Sequence, residues 1–248
     1  MTNLGKGCIV IEMIEINRVL EHTVLKPDFQ LGCYTQAVRE CIFYKFPTLV
    51  VSSFHTPLVS NLLHQYIHTD MNIHVAVAST IGFPHGNSSI QAKVAEMQQA
   101  FNDGATEFDF VINTGLIKTL EWKRIKDEFV ALRNAVLTTD KFHPILKCIL
   151  EVCVLEDNEI KRACDIAVAC KIDFLKTSTG FHANKLEPKQ TARYVKLMAD
   201  QIKGTLTRVK ASGGIKSLSD CLLMVEAGAS RIGTSNSVSI INEFLKNG

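Results

Sequence analysis

Long apolar runs, paired cysteines and one-sided charge are all missing from this 248-residue chain. No stretch reaches the roughly 20 apolar residues that a membrane-spanning helix needs. The run Ile9-Val10-Ile11, between Cys8 and Glu12, is also too short for the apolar part of a signal peptide, so the expected location is the cytoplasm. Eight cysteines are present, but they form no Cys-x-x-Cys pair and do not gather with histidines at zinc spacing. A chain of this size does not need a disulfide framework, and free thiols in a reducing compartment are expected. Lys and Arg number 27 against 25 Asp and Glu, for a net charge of +2, and the basic residues are scattered. That excludes the basic stripe of a nucleic-acid binder. No linker or low-complexity segment divides the chain, which reads as one domain over residues 1–248.

What is there is alternation. Short β-branched runs at 18–25, 48–52, 74–79, 107–112, 146–151, 173–177, 208–210 and 231–233 read as strands. Amphipathic stretches lie between them, among them 88–101, 120–136, 156–169 and 188–202. In the first of these Val94, Met97 and Phe101 keep helical spacing, and Asp103-Gly104 supplies a stop. About eight strand–helix units in about 250 residues match a closed (β/α)8 barrel of the TIM type. No Gly-x-Gly-x-x-Gly follows the first strand, as a dinucleotide-binding open sheet would require. Residues before about Ile14 are expected to form a short helix or arm closing the barrel bottom.

Barrel enzymes carry their chemistry at the C-terminal strand ends. Lys176 stands there in Asp173-Phe174-Leu175-Lys176, followed by Thr-Ser-Thr-Gly, small residues that let backbone and ligand come close. Its alternative is a lysine reaching outward to solvent. Lys210 repeats the arrangement on the next strand, ahead of Ala-Ser-Gly-Gly. Neighbouring strands are only about 4.8 Å apart, so two inward lysines would crowd each other's charge and favour a neutral, nucleophilic amine. The other use of such a pair is to bind phosphate. Asp109 lies in Glu107-Phe108-Asp109-Phe110-Val111, where alternation sends the phenylalanines outward and the carboxylates inward. A buried carboxylate must be paired, either as a structural ion pair or as a proton relay with Lys210. Gly213-Gly214 and Gly233-Thr234-Ser235-Asn236 occupy the loops where barrels often hold phosphate. Ser52, Ser53, His55 and His85 could reach the rim, and each reads as structural.

These motifs together resemble the deoxyribose-phosphate aldolase family. Lys-Thr-Ser-Thr-Gly-Phe at 176–181 and Val-Lys-Ala-Ser-Gly-Gly-Ile at 209–215 are similar to its two lysine motifs. Matching stretches also occur at 22–27, 81–87, 107–113, 146–151 and 229–235, in the family's order. The resemblance implies reversible cleavage of 2-deoxy-D-ribose 5-phosphate into acetaldehyde and D-glyceraldehyde 3-phosphate, with no metal or organic cofactor, in a homodimer. It implies that Lys176 forms the imine, that Lys210 keeps Lys176 neutral, and that Asp109 with Lys210 moves protons through a water. Thr23, Gly180, Gly213, Gly214, Gly233 and Ser235 would hold the sugar and its phosphate. The chain departs from the family pattern at Glu21, where Asp is common, at 50–55, where a Cys-Val-x-Pro-like stretch is usual, and at Phe181 and Asn236. A different imine-forming barrel aldolase and a non-catalytic phosphosugar-binding scaffold are the competing readings.

Overall fold

The computed structural model describes residues 16–67, 74–137 and 143–247. The expected N-terminal arm before Ile14 lies outside them. Eight parallel strands close on themselves in chain order: β1 (Leu20–Val24), β2 (Thr48–Ser52), β3 (Ala76–Ile81), β4 (Glu107–Val111), β5 (Ile145–Ile149), β6 (Phe174–Lys176), β7 (Arg208–Ser212) and β8 (Ala229–Thr234). Pairing of Leu20 with Ile232 completes the ring. The expected barrel is therefore present, with strand limits moved by a few residues. Arg18 belongs to a 3-10 turn ahead of β1, and β8 runs longer at both ends than the sequence suggests.

Helices α1 (Leu31–Tyr44), α2 (Thr56–Ile67), α3 (Ile90–Asn102), α4 (Thr114–Lys118), α5 (Trp122–Ala135), α6 (Asp157–Ala169), α7 (Pro188–Gln201), α8 (Leu218–Glu226) and α9 (Ser237–Asn247) fill the crossovers. Their starts are chemically marked. Ser89 accepts from the Ala92 amide at 3.2 Å, and Glu156 and Glu187 each close a capping box, with Pro188 in the first turn of α7. The single helix expected over 120–136 begins later, because Leu120 takes a left-handed φ of 59° and separates α4 from α5. After α3, Gly104 has φ 99°, and a Cβ there would lie 2.2 Å from Ser60 Oγ, so only glycine fits this stop.

The apolar core lies between the strands and the helices. Phe108 and Phe110 point outward, with ring centroids 6.4 Å from Phe101 of α3 and 5.6 Å from Phe129 of α5. The opposite faces of the same strands fill the barrel with charge instead of aliphatic layers. No helix among the described residues is long and apolar enough to cross a membrane.

Candidate active site

Strand register assembles the site. Lys176 is the Cα partner of Lys210 across β6–β7, and Asp109 is the partner of Lys147 across β4–β5. In this closed ring the four side chains converge. Lys176 Nζ donates to Asp109 Oδ2 at 2.7 Å and Lys210 Nζ donates to the same oxygen at 2.6 Å. Lys147 Nζ lies 2.5 Å from Glu107 Oε2 and 3.1 Å from both Asp109 Oδ1 and Glu21 Oε2. Arg231 Nη1 bridges Glu21 Oε1 at 2.9 Å and Glu107 Oε2 at 2.7 Å, and Glu21 Oε2 also accepts from Lys210. Below them, the guanidinium carbons of Arg208 and Arg231 lie 4.3 and 4.9 Å from the Phe174 ring centre.

Only one of the clustered amines meets open space. Lys176, with Thr23, Gly180, Gly213, Gly214, Gly233 and Ser235, lines a cavity of about 350 Å³ at the C-terminal mouth. Lys210 and Asp109 are fully buried beneath it. The sequence candidates thus share one site, joined by Lys26, Lys216 and Asn236 on its wall. The β6 and β7 loops are stitched together there: Thr177 Oγ1 donates to the Ser212 carbonyl at 2.8 Å and accepts from the Ser212 amide at 2.9 Å. Gly233 has a second use, since a Cβ on it would stand 3.0 Å from Lys210 Cε. Its place in the sequence pattern reflects room for that lysine as well as access to the cavity.

Behind the β8 loop, His22 Nε2 contacts Glu40 Oε2 at 3.0 Å and Nδ1 pairs with the hydroxyl of Ser237, the first residue of α9. The carboxylate requires a proton on Nε2, so Nδ1 accepts from the serine. The set has the members of a hydrolytic triad, but Ser237 is fully buried and the chain of bonds ties α9 to β1. Ser52, Ser53 and His55 do not line the cavity. His55 Nδ1 bonds Ser52 Oγ and Tyr34 OH at 2.8 and 3.0 Å, and Ser53 donates to Glu96 at 2.7 Å.

A family model described as DeoC/LacD family aldolase matches residues 60–244. The chain belongs to the DeoC/LacD aldolase family. The deoxyribose-phosphate aldolase of Finegoldia magna is 38% identical over 228 residues, covering 92% of this chain and 99% of that one. That of Natranaerobius thermophilus is 37% identical over 91% of this chain and 96% of its own length. Among solved structures, the deoxyribose phosphate aldolase of Aeropyrum pernix, a tetramer, superposes with a TM-score of 0.80 at 29% identity, covering 94% of this chain and 92% of that one.

Sequence reasoning gave no role in this aldolase to Lys147 or Arg231, and it treated Glu21 only as a departure. The signal for Lys147 was available: in Ile145-Leu146-Lys147-Cys148-Ile149 it is the same isolated charge in an apolar strand that singled out Asp109. Glu21 is the hub that binds Lys147, Lys210 and Arg231.

The cluster shifts its members in opposite directions. Burial alone would raise the Asp109 and Glu21 carboxyls, but the lysines outweigh it. Asp109 is held well below its ordinary value by Lys147, Lys176 and Lys210, and Glu21 is lowered to about 2 by Lys147 and Lys210. Lys210 is pushed down to about 8, first by burial and further by Lys147 and Lys176, against the pull of Asp109 and Glu21. A carboxyl whose folded value is depressed stabilises the fold above its unfolded value and loses that contribution as pH falls toward the folded one. For Glu21 this window runs from 4.5 down to about 2. Replacing Glu21 with Gln should therefore flatten the acid-side fall in stability across that window, by on the order of 3 kcal/mol. Denaturant titrations at stepped pH read this directly, and an unchanged slope would remove Glu21 from the ionised cluster.

Proposed function

We propose that this aldolase reversibly cleaves 2-deoxy-D-ribose 5-phosphate into D-glyceraldehyde 3-phosphate and acetaldehyde through an imine on Lys176. The observation that carries the reading is that Lys176 and Lys210 share one oxygen of Asp109, while Lys176 alone of the two faces the cavity. Charge supports it. Among the described residues the ion pairs of Lys147, Lys176, Lys210 and Arg231 are all made with Glu21, Glu107 and Asp109, so four cations share three carboxylates and these pairs balance when one amine lacks its proton. Because the shared oxygen links Lys176 to Lys210, a proton shed by the attacking amine has an acceptor within two hydrogen bonds.

In the cleavage direction Lys176 Nζ attacks C1 of the open-chain sugar, and loss of water leaves a protonated imine. Deprotonation of the C3 hydroxyl breaks the C2–C3 bond and releases glyceraldehyde 3-phosphate. The bond's electrons pass into the imine to give an enamine. Protonation at C2 and hydrolysis then free acetaldehyde and the lysine. Lys210 and Asp109, acting through a water, carry these protons. Glycines 180, 213, 214 and 233 leave backbone room for a phosphate, with Ser235 to hydrogen-bond it and Lys26 and Lys216 to offset its charge. Thr23 lies on the same wall for the sugar hydroxyls.

Treatment with acetaldehyde and borohydride should leave an N-ethyl group on Lys176, mapped by mass spectrometry of the digest. In parallel, the protein should release glyceraldehyde 3-phosphate from 2-deoxyribose 5-phosphate in a coupled assay. An adduct confined to Lys210, or no adduct on the folded protein, defeats the imine assignment. An adduct without cleavage points to another aldehyde substrate.

A further inference from the structure

A second cavity, of about 590 Å³, opens beside the first among the loops after β3, β4, β5 and β6. It does not include Lys176. The two cavities have Thr179 and Phe181 in common, so these residues form the wall between them. The wall is fixed at several points. Glu151, buried and in a left-handed conformation with φ 56°, accepts from the Thr179 amide at 3.2 Å and from its hydroxyl. Thr179 Oγ1 in turn accepts from the Phe181 amide at 3.1 Å. The Phe181 ring then meets Phe83, on the β3 loop, edge to face with centroids 5.1 Å apart. The pair spans the barrel mouth.

The lining of the two cavities differs. The first carries Lys26, Lys176 and Lys216 among four glycines. The second is lined by Asn87, Asn113, Thr114, His85 and His182, and its one lysine, Lys118, is paired with Glu159 at 2.6 Å. Amide, hydroxyl and imidazole groups without an unpaired lysine suit hydroxyls rather than phosphate. We infer that Phe181, held by Phe83, is the specificity-determining wall that limits substrate length at Lys176, and that the second cavity is a lobe for a neutral, polyhydroxylated chain longer than the five-carbon substrate. The inference rests on the imine reading given above. For a six-carbon 2-deoxyaldose the reaction is unchanged in its balance: C2–C3 cleavage gives acetaldehyde and a four-carbon aldose.

The test compares 2-deoxy-D-allose with 2-deoxy-D-ribose, both unphosphorylated and of the same configuration at C3 and C4, so that chain length is the variable. Acetaldehyde release is followed in the wild type, in Phe181→Ala and in Phe83→Ala. The ratio of kcat/KM for the six-carbon over the five-carbon sugar should rise at least about tenfold in Phe181→Ala, as removal of one aromatic wall joins the two volumes. It should rise less in Phe83→Ala, where the ring is freed but kept. Adding Val154→Phe, which fills the second cavity from its own side, should cancel the gain. An unchanged ratio in Phe181→Ala, or a gain that survives Val154→Phe, overturns the inference. Absence of the acetaldehyde adduct on wild-type Lys176 overturns the imine reading and this inference with it, whereas an unchanged ratio in an enzyme that does form the adduct defeats the wall alone.

Discussion

Lys176→Arg should lower kcat/KM for 2-deoxyribose 5-phosphate by about 10⁴-fold or more, the scale seen when a covalent nucleophile is removed. Arginine preserves the positive charge beside Asp109 Oδ2 and can keep a hydrogen bond to it. What it cannot do is lose its proton and attack a carbonyl. The side chain stands at the cavity wall, so the larger guanidinium has space to enter without displacing the core. Loss of cleavage should therefore come with a melting temperature within a few degrees of wild type, a contrast that separates chemistry from folding. The borohydride adduct should vanish in the same variant. Cleavage retained at more than about one-hundredth of the wild-type rate would mean that another amine, Lys210 foremost, is the nucleophile.

The parts of this site that could be read beforehand are those governed by strand alternation. Asp109 between two phenylalanines, Lys176 at the end of β6, and Lys210, which stands mid-strand because β7 runs two residues past it, each announce an inward polar residue by period two. The barrel follows from the same rhythm, and Thr48–Ser52 lies where its β-branched residues place it. The connection between inward residues is set by register, which a sequence does not display. Nothing local indicates that Glu21 on β1 reaches Lys147 on β5, 126 residues away. Arg231 was hidden by a strand start placed two residues late: β8 begins at Ala229, which makes position 231 an interior one. The late start of the helix expected over 120–136 turns on the left-handed φ of Leu120, and leucine gives no compositional warning of it. The second cavity is built from four separate loops whose approach to one another is a property of closure alone.

Closure also determines what the buried carboxylate must do, and Asp109→Asn should show it in two measurements. The asparagine oxygen can serve one ammonium group but cannot balance its charge, leaving Glu21 and Glu107 to offset Lys147, Lys176, Lys210 and Arg231. Breaking a buried ion pair from one side costs about 3–5 kcal/mol, which in a chain of this size lowers Tm by roughly 6–20 °C. The loss should depend on pH in a definite sense. Lys210 is already depressed to about 8 from an ordinary value of 10.5, and Asp109 is among the groups that hold it up. Without that carboxylate Lys210 sheds its proton at lower pH. Wherever the unfolded chain binds that proton and the folded one does not, stability rises with pH. The window for this rise, between about 8 and 10.5 in the wild type, should extend below 8 in the variant. Its deficit, measured by denaturant titration, should then be larger at pH 6 than at pH 9. Turnover should fall by about 10²–10⁴-fold at every pH, because the oxygen that links the two amines no longer relays a proton. A deficit equal at both pH values would mean that the cluster does not share its protons through Asp109, and normal turnover in the variant would leave the relay without a carrier.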